Sequence, residues 1–174
     1  MDINKNYFDF IGLPISFHID QSLLADRSLE LQKTLHPDRF AHQTEREQRL
    51  AVQYMAYLNE GIATLKAPLP RAQYLLHLKG IDTISESSTP VEPMFLMQQM
   101  ELRERLEEIP ELEEPYDELE SLLEEVDDLL AQLRERFAQC YESDLESATA
   151  VVRKMQFLEK LVTEIERLED RLDG

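Results

Sequence analysis

The sequence is poorest in the residues that cross-link chains and hold metals. Cys140 is the single cysteine among 174 residues. One thiol can form no intrachain disulfide and supplies no cysteine-rich metal or cluster site. A reducing cytoplasm is the simplest home for such a chain. His18, His36, His42 and His77 lack the helical spacing of metal ligands. No glycine-rich stretch is present to cradle phosphate, and the carboxylates are too numerous to single out an acid–base pair. The expectation is therefore no metal, no cofactor and no catalytic residue. Tryptophan is absent, and no apolar run approaches the length of a membrane span. The first residues do not read as a signal peptide, since Asp2 and Lys5 lead into Asn6-Tyr7-Phe8-Asp9.

Positive charge is scarce too. Eighteen Lys and Arg face thirty-six Asp and Glu, a net charge of −18. The imbalance sits in one half. Residues 1–82 hold ten acids and nine bases, whereas residues 83–174 hold twenty-six and nine. Such a split points to two modules with different surfaces. It also argues against nucleic acid, which requires a basic footprint.

What is present is helical periodicity. Residues 6–13 form a short apolar run that ends at Gly12 and Pro14, expected as a brief helix. Asp20 is a good N-cap, with Ile19 and Leu24 placed as a hydrophobic staple. Leu24, Leu31 and Leu35 share a face of a helix over 20–35, with Arg27, Lys33, Asp26 and Glu30 assigned to its other side. Pro37 lacks an N–H and disfavours helical geometry at His36, so this helix should stop there. Thr44-Glu45-Arg46-Glu47 reads as a capping box. The helix it opens carries Ala51, Tyr54, Met55, Leu58, Ile62 and Leu65 as its apolar stripe to about Lys66, where Pro68 and Pro70 end it. Two such helices on a short loop pack antiparallel and expose the loop at their tip.

Helix, His36-Pro37-Asp38, longer helix, then Leu58-Asn59-Glu60 and Leu65 before Arg71-Ala72 resembles a J-domain, assigned to residues 1–76. The resemblance implies docking on an ATPase chaperone of the DnaK class, with stimulation of its ATP hydrolysis. It makes His36, Pro37 and Asp38 the stimulating triad. Pro37 fixes the loop, and Asp38 offers a carboxylate to a partner arginine. The alternative for His36 is a loop-closing hydrogen bond with no partner role. The family presents a strongly basic helix before the triad. Here only Arg27 and Lys33 serve, with Arg39 just beyond, so electrostatic steering should be weak.

Arg71-Ala72-Gln73-Tyr74-Leu75-Leu76-His77-Leu78 reads as one short helix stopped by Gly80, too apolar for a free linker and expected to pack between the modules. Residues 77–90 form the joint and linker, with a polar loop at 85–90, and residues 91–174 form an acidic bundle. Its first helix is expected over 94–109, closed by Pro110. The second begins near Pro115, with Leu119, Leu123, Val126, Leu130, Leu133, Phe137 and Cys140 in its core and Cys140 a buried thiol. Ser143-Asp144-Leu145-Glu146 reads as a capping box for the third, which runs on Val151, Met155, Leu158, Val162, Ile165 and Leu172. The fold class is all-α, a J-domain helix hairpin followed by an antiparallel three-helix bundle.

The first helix of the bundle carries more apolar surface than a core face needs. On a wheel of 100° per residue, Phe95, Leu102, Leu106 and Ile109 gather on one side. Leu96, Met97 and Met100 fall off it, beside Glu101, Glu104 and Glu108. An apolar patch rimmed by carboxylates marks a protein-binding surface, and Met suits an adaptable one. Phe157, at the edge of the third helix's stripe, can join it. A wider core is the alternative, because periodicity does not settle burial.

Phe95-Leu96-Met97 with Met100-Glu101-Leu102-Arg103-Glu104, and Val152-Arg153-Lys154 with Phe157-Leu158-Glu159-Lys160-Leu161, resemble the C-terminal domain of the HscB family. Arg71-Ala72 with Tyr74-Leu75-Leu76 fits that family's joint, so the resemblance covers essentially the whole chain. It implies a J-type co-chaperone that brings the iron–sulfur scaffold IscU to the dedicated chaperone HscA. The scaffold-binding surface it implies is Leu96, Met97, Met100 and Phe157, with Glu101, Glu104 and Glu108 as rim. Some eukaryotic members carry a tetracysteine zinc module, and its absence here fits a bacterial member. A J-protein with another client and an acidic helical adaptor of structural role are the competing readings. Neither nucleic acid nor membrane is expected as a partner.

Overall fold

Asn6 accepts the Asp9 N–H through its side chain and opens α1, Tyr7–Ile11. Gly12 closes it in the left-handed region, φ 92°, with its own N–H donating to the Phe8 carbonyl. The computed structural model describes residues 2–84 and 91–174. The polar loop expected at 85–90 lies outside the described residues. Asp20 caps α2, Gln21–Leu35, by accepting from Leu23 N–H. Thr44 caps α3, Glu45–Lys66, by accepting from Glu47 N–H. Then come α4, Pro68–Leu78, α5, Pro93–Glu108, α6, Pro115–Cys140, and α7, Leu145–Asp173. Short 3₁₀ turns occupy Pro37–Phe40 and Ile109–Glu111. The described residues contain no strand. They fall into two compact units, Met1–Leu75 and Leu76–Gly174.

The first unit buries Phe8, Ile11, Leu13 and Phe17 against Leu24 and Leu35 of α2 and Ala51, Leu58 and Leu65 of α3. Gly61 belongs to this core because a Cβ there would meet the Tyr7 ring at 3.0 Å. Tyr7 stacks on Tyr74 at 4.6 Å and tilts against Tyr57 at 4.8 Å. Its N–H donates to the Tyr74 hydroxyl, and its own hydroxyl donates to Glu60. Arg71, buried, donates to the Leu65 carbonyl and lays its guanidinium 4.9 Å over the Phe17 ring. These contacts place the start of α4 in the first unit. That helix begins three residues before the expected Arg71. Pro68 and Pro70 stand in its first turn, where a missing N–H costs nothing, so the prolines start a helix rather than only ending one.

In the second unit α6 and α7 form the longest packed pair, and α5 lies along both. Arg134 to Glu159 and Tyr116 to Asp173 set α6 antiparallel to α7. Arg103 reaches Glu164 on α7 at 2.6 Å, and Arg105 bridges Glu118 and Glu125 on α6. The buried set includes Phe95, Leu102 and Ile109 of the first segment, Leu119, Leu122, Val126, Leu130 and Phe137 of α6, and Val151, Val152, Met155, Leu158, Leu161, Ile165 and Leu168 of α7.

Several details depart from the sequence reading, and among them Leu133, Val162 and Leu172 are half-buried while Leu161 and Leu168 take the core positions of α7. Leu122 is fully buried while Leu123 is only half-buried, because α6 meets two neighbours and so buries a wider face than a single heptad seam. The cap of α7 is Asp144, one residue past the expected Ser143, and it accepts both the Ser147 N–H and the Ser147 hydroxyl. Cys140 is half-buried rather than buried. Partial burial still pushes its thiol above the ordinary value, partly offset by Arg136.

Candidate partner-binding sites

The tip of the α2–α3 hairpin is shaped by Pro37. Ahead of it His36 adopts φ −57° and ψ 131°, the extended conformation a proline imposes on its predecessor. The helix ends there, and Pro37 starts the 3₁₀ turn that Arg39 N–H closes on the His36 carbonyl at 3.0 Å. Asp38 N–H donates to His36 Nδ1 at 3.3 Å, and the Asp38 carboxylate lies 3.6 Å from the same nitrogen. The Asp38 N–H and carboxylate thus both lie on the Nδ1 side of the ring. His36 therefore braces the loop from within. The side chains of His36 and Asp38 remain 57% and 92% exposed, so bracing and presentation coexist.

The neighbouring cations are not gathered equally. Lys33 is exposed on α2, and Arg39 is exposed beside the triad. Arg27 is also exposed, but it stands about 120° round the helix from Lys33. Its side chain runs over Gly12, 3.9 Å from where a Cβ would stand. The face that holds Lys33 and His36 instead holds Leu29, 53% exposed. Composition gave that leucine no distinction, and only its angle from the Leu24–Leu35 stripe sets it apart.

On α5 the core side and the outer side separate. Phe95 and Leu102 are buried, and Leu96, Met97 and Met100 are 43%, 62% and 62% exposed. Glu101, Glu104 and Glu108 are exposed at three- and four-residue steps along the same outer side. Phe157 is half-buried on α7, its ring centroid 6.1 Å from that of Phe95. The Arg103–Glu164 pair marks the α5–α7 seam. Leu96 and Phe157 each stand seven residues before a member of that pair, so the register puts both on the same seam two turns away. The glutamates lie farther round α5. Gln99, on the inner side, is buried with no partner for its Nε2 among the described residues, a polar residue among the apolar ones the sequence assigned to the core.

Lys154 of α7 completes the N-terminal end of this surface. Its ammonium sits 3.4 Å from the Glu92 carboxylate and 5.6 Å over the Phe95 ring. No helix among the described residues is long and apolar enough to cross a membrane.

Comparison with known proteins adds the following. Residues 91–166 match the family model described as the HSCB C-terminal oligomerisation domain. The chain is 46% identical over 171 residues to the co-chaperone protein HscB homolog of Shewanella loihica, covering 96% of this chain and 99% of that one. It superposes on the chaperone HscB from Vibrio cholerae with a TM-score of 0.86 at 41% identity, covering 97% and 99% of the two chains. On the crystal structure of the human co-chaperone protein HscB the TM-score is 0.88 at 27% identity, covering 97% of this chain and 84% of that one.

Proposed function

The chain belongs to the HscB co-chaperone family, and on that premise we propose that it docks an HscA-type ATPase chaperone through residues 1–76 and holds an IscU-type iron–sulfur scaffold through residues 91–174, in the cytoplasm. It is a co-chaperone of iron–sulfur cluster assembly and not an enzyme. The docking surface is His36, Pro37 and Asp38 with Lys33, Arg39 and Leu29, and Arg27 at its margin. Asp38 supplies a carboxylate for bidentate pairing with an arginine of the chaperone. Leu29 supplies apolar contact where α2 is poor in cations. The scaffold-binding surface is Leu96, Met97, Met100 and Phe157, with Glu101, Glu104 and Glu108 steering a basic client.

One observation carries the scaffold half of this reading. The helix that already buries Phe95 and Leu102 exposes Leu96, Met97 and Met100 on its other side. Nothing in the fold of a monomer requires them there. Interface anchors of this kind each contribute on the order of 1 kcal/mol or more. Leu96→Ala with Phe157→Ala should therefore weaken capture of the purified scaffold by roughly tenfold or more while helicity stays unchanged. His36→Gln should leave capture intact. Undiminished capture by the double variant would refute the assignment of the patch.

A further inference from the structure

The patch just assigned follows the seam with α7, yet the exposed apolar surface of α5 does not stop there. Met94 is 81% exposed, more than any member of that patch. At 100° per residue, Leu96, Met100, Met97 and Met94 succeed one another round about 160° of the helix. Beyond Met97, on the flank away from Leu96, lies an open groove of 490 Å³. Met94, Met97, Gln98 and Glu101 line it on α5, and Lys154 lines it from α7 beside Phe95.

We propose that this groove is a second subsite for the scaffold, taking an apolar side chain followed by a Lys or Arg. The proposal rests on the scaffold-binding reading above and extends it round α5. Two methionines one turn apart give a deformable apolar wall, suited to a side chain of no fixed shape. Charge selects what comes with that side chain. Among the described residues the one cation lining the groove, Lys154, already faces Glu92 at 3.4 Å. Glu101, exposed at the opposite edge, then sets the sign seen by a ligand. Residues 83–174 carry twenty-six acids against nine bases, so an acidic segment is repelled throughout its approach. A client strand that crosses α5 from Leu96 to Met94 places its basic residue over Glu101.

Methionine oxidation reads occupancy directly. The full chain is exposed to dilute peroxide with and without its purified IscU-type scaffold, and each sulfoxide is quantified by mass spectrometry. Buried Met155 is the unreactive reference. The scaffold is expected to slow oxidation of Met94 severalfold, together with Met97 and Met100. Protection of Met97 and Met100 with Met94 oxidised at its free rate overturns the subsite and leaves the patch standing. No protection at any of the three overturns both. Protection of Met94 by raising the concentration of the chain alone means a second copy fills the groove, and also overturns the proposal. As a second measure, Met94→Gln should weaken capture about fivefold and Met94→Leu should restore it. Equal capture by Met94→Gln and the parent chain contradicts the subsite.

Discussion

Tyr7 joins parts of the chain that are far apart in sequence. It packs between Tyr57 and Tyr74 and donates its hydroxyl to Glu60. Burial, and then the negative charge of Glu60, push its pKa from 10.0 to about 12. A raised pKa means that the fold favours the neutral phenol. That contribution is complete below pH 10 and is lost as pH rises from there through about 12. The melting temperature of the first unit should fall across this window, and Tyr7→Phe should flatten the fall. Tyrosinate absorbance followed alongside the melt checks the assignment, and an unchanged slope in Tyr7→Phe would contradict it. None of this was legible in the sequence, because residues 7, 57 and 74 share no local pattern. The shape of the loop at His36-Pro37-Asp38 was legible, because Pro37 acts on its immediate neighbour. The bond from Asp38 N–H to His36 Nδ1 was foreseen only as an alternative to partner contact, and the loop accommodates it while leaving both side chains exposed.

At the level of elements, periodicity, caps and prolines placed the α-helices of the described residues to within a few positions, with α4 starting three residues early, since these signals act within a turn or two. The errors arose where a neighbour in space decides. A heptad template chose Leu123, which suits one partner helix, whereas α6 has two and buries Leu122 completely. Leu122→Ala should accordingly cost about 2–5 kcal/mol, and Leu123→Ala clearly less. Urea midpoints at constant m-value measure the difference. Equal losses would mean that α6 packs as a simple two-helix seam. The outward patch on α5 was readable from a wheel because Phe95, Leu102 and Ile109 had already claimed a core side. The extent of the patch was not, since Met94 and Lys154 meet at the groove only through the packing of α7 on α5.

For the whole molecule the charge division has a purpose in the proposed account. The nearly neutral first eighty-two residues can approach an ATPase chaperone, while the acidic remainder attracts a basic client. The client contribution of Glu101, Glu104 and Glu108 should fade with added salt, whereas that of Leu96 and Phe157 should persist. Capture measured over a salt series checks this, and a salt-insensitive loss in Glu104→Gln would oppose it. On the proposed reading, holding both partners on one chain raises the effective concentration of the scaffold at the chaperone. The most direct measurement is the steady-state ATPase rate of the HscA-type chaperone as its scaffold is titrated in the presence of this chain. The account predicts that scaffold and chain together stimulate far more than either alone. It also predicts that Asp38→Asn abolishes stimulation, and that Leu96→Ala with Phe157→Ala keeps the basal stimulation but loses the scaffold-dependent rise. A full scaffold-dependent rise with either variant would contradict it.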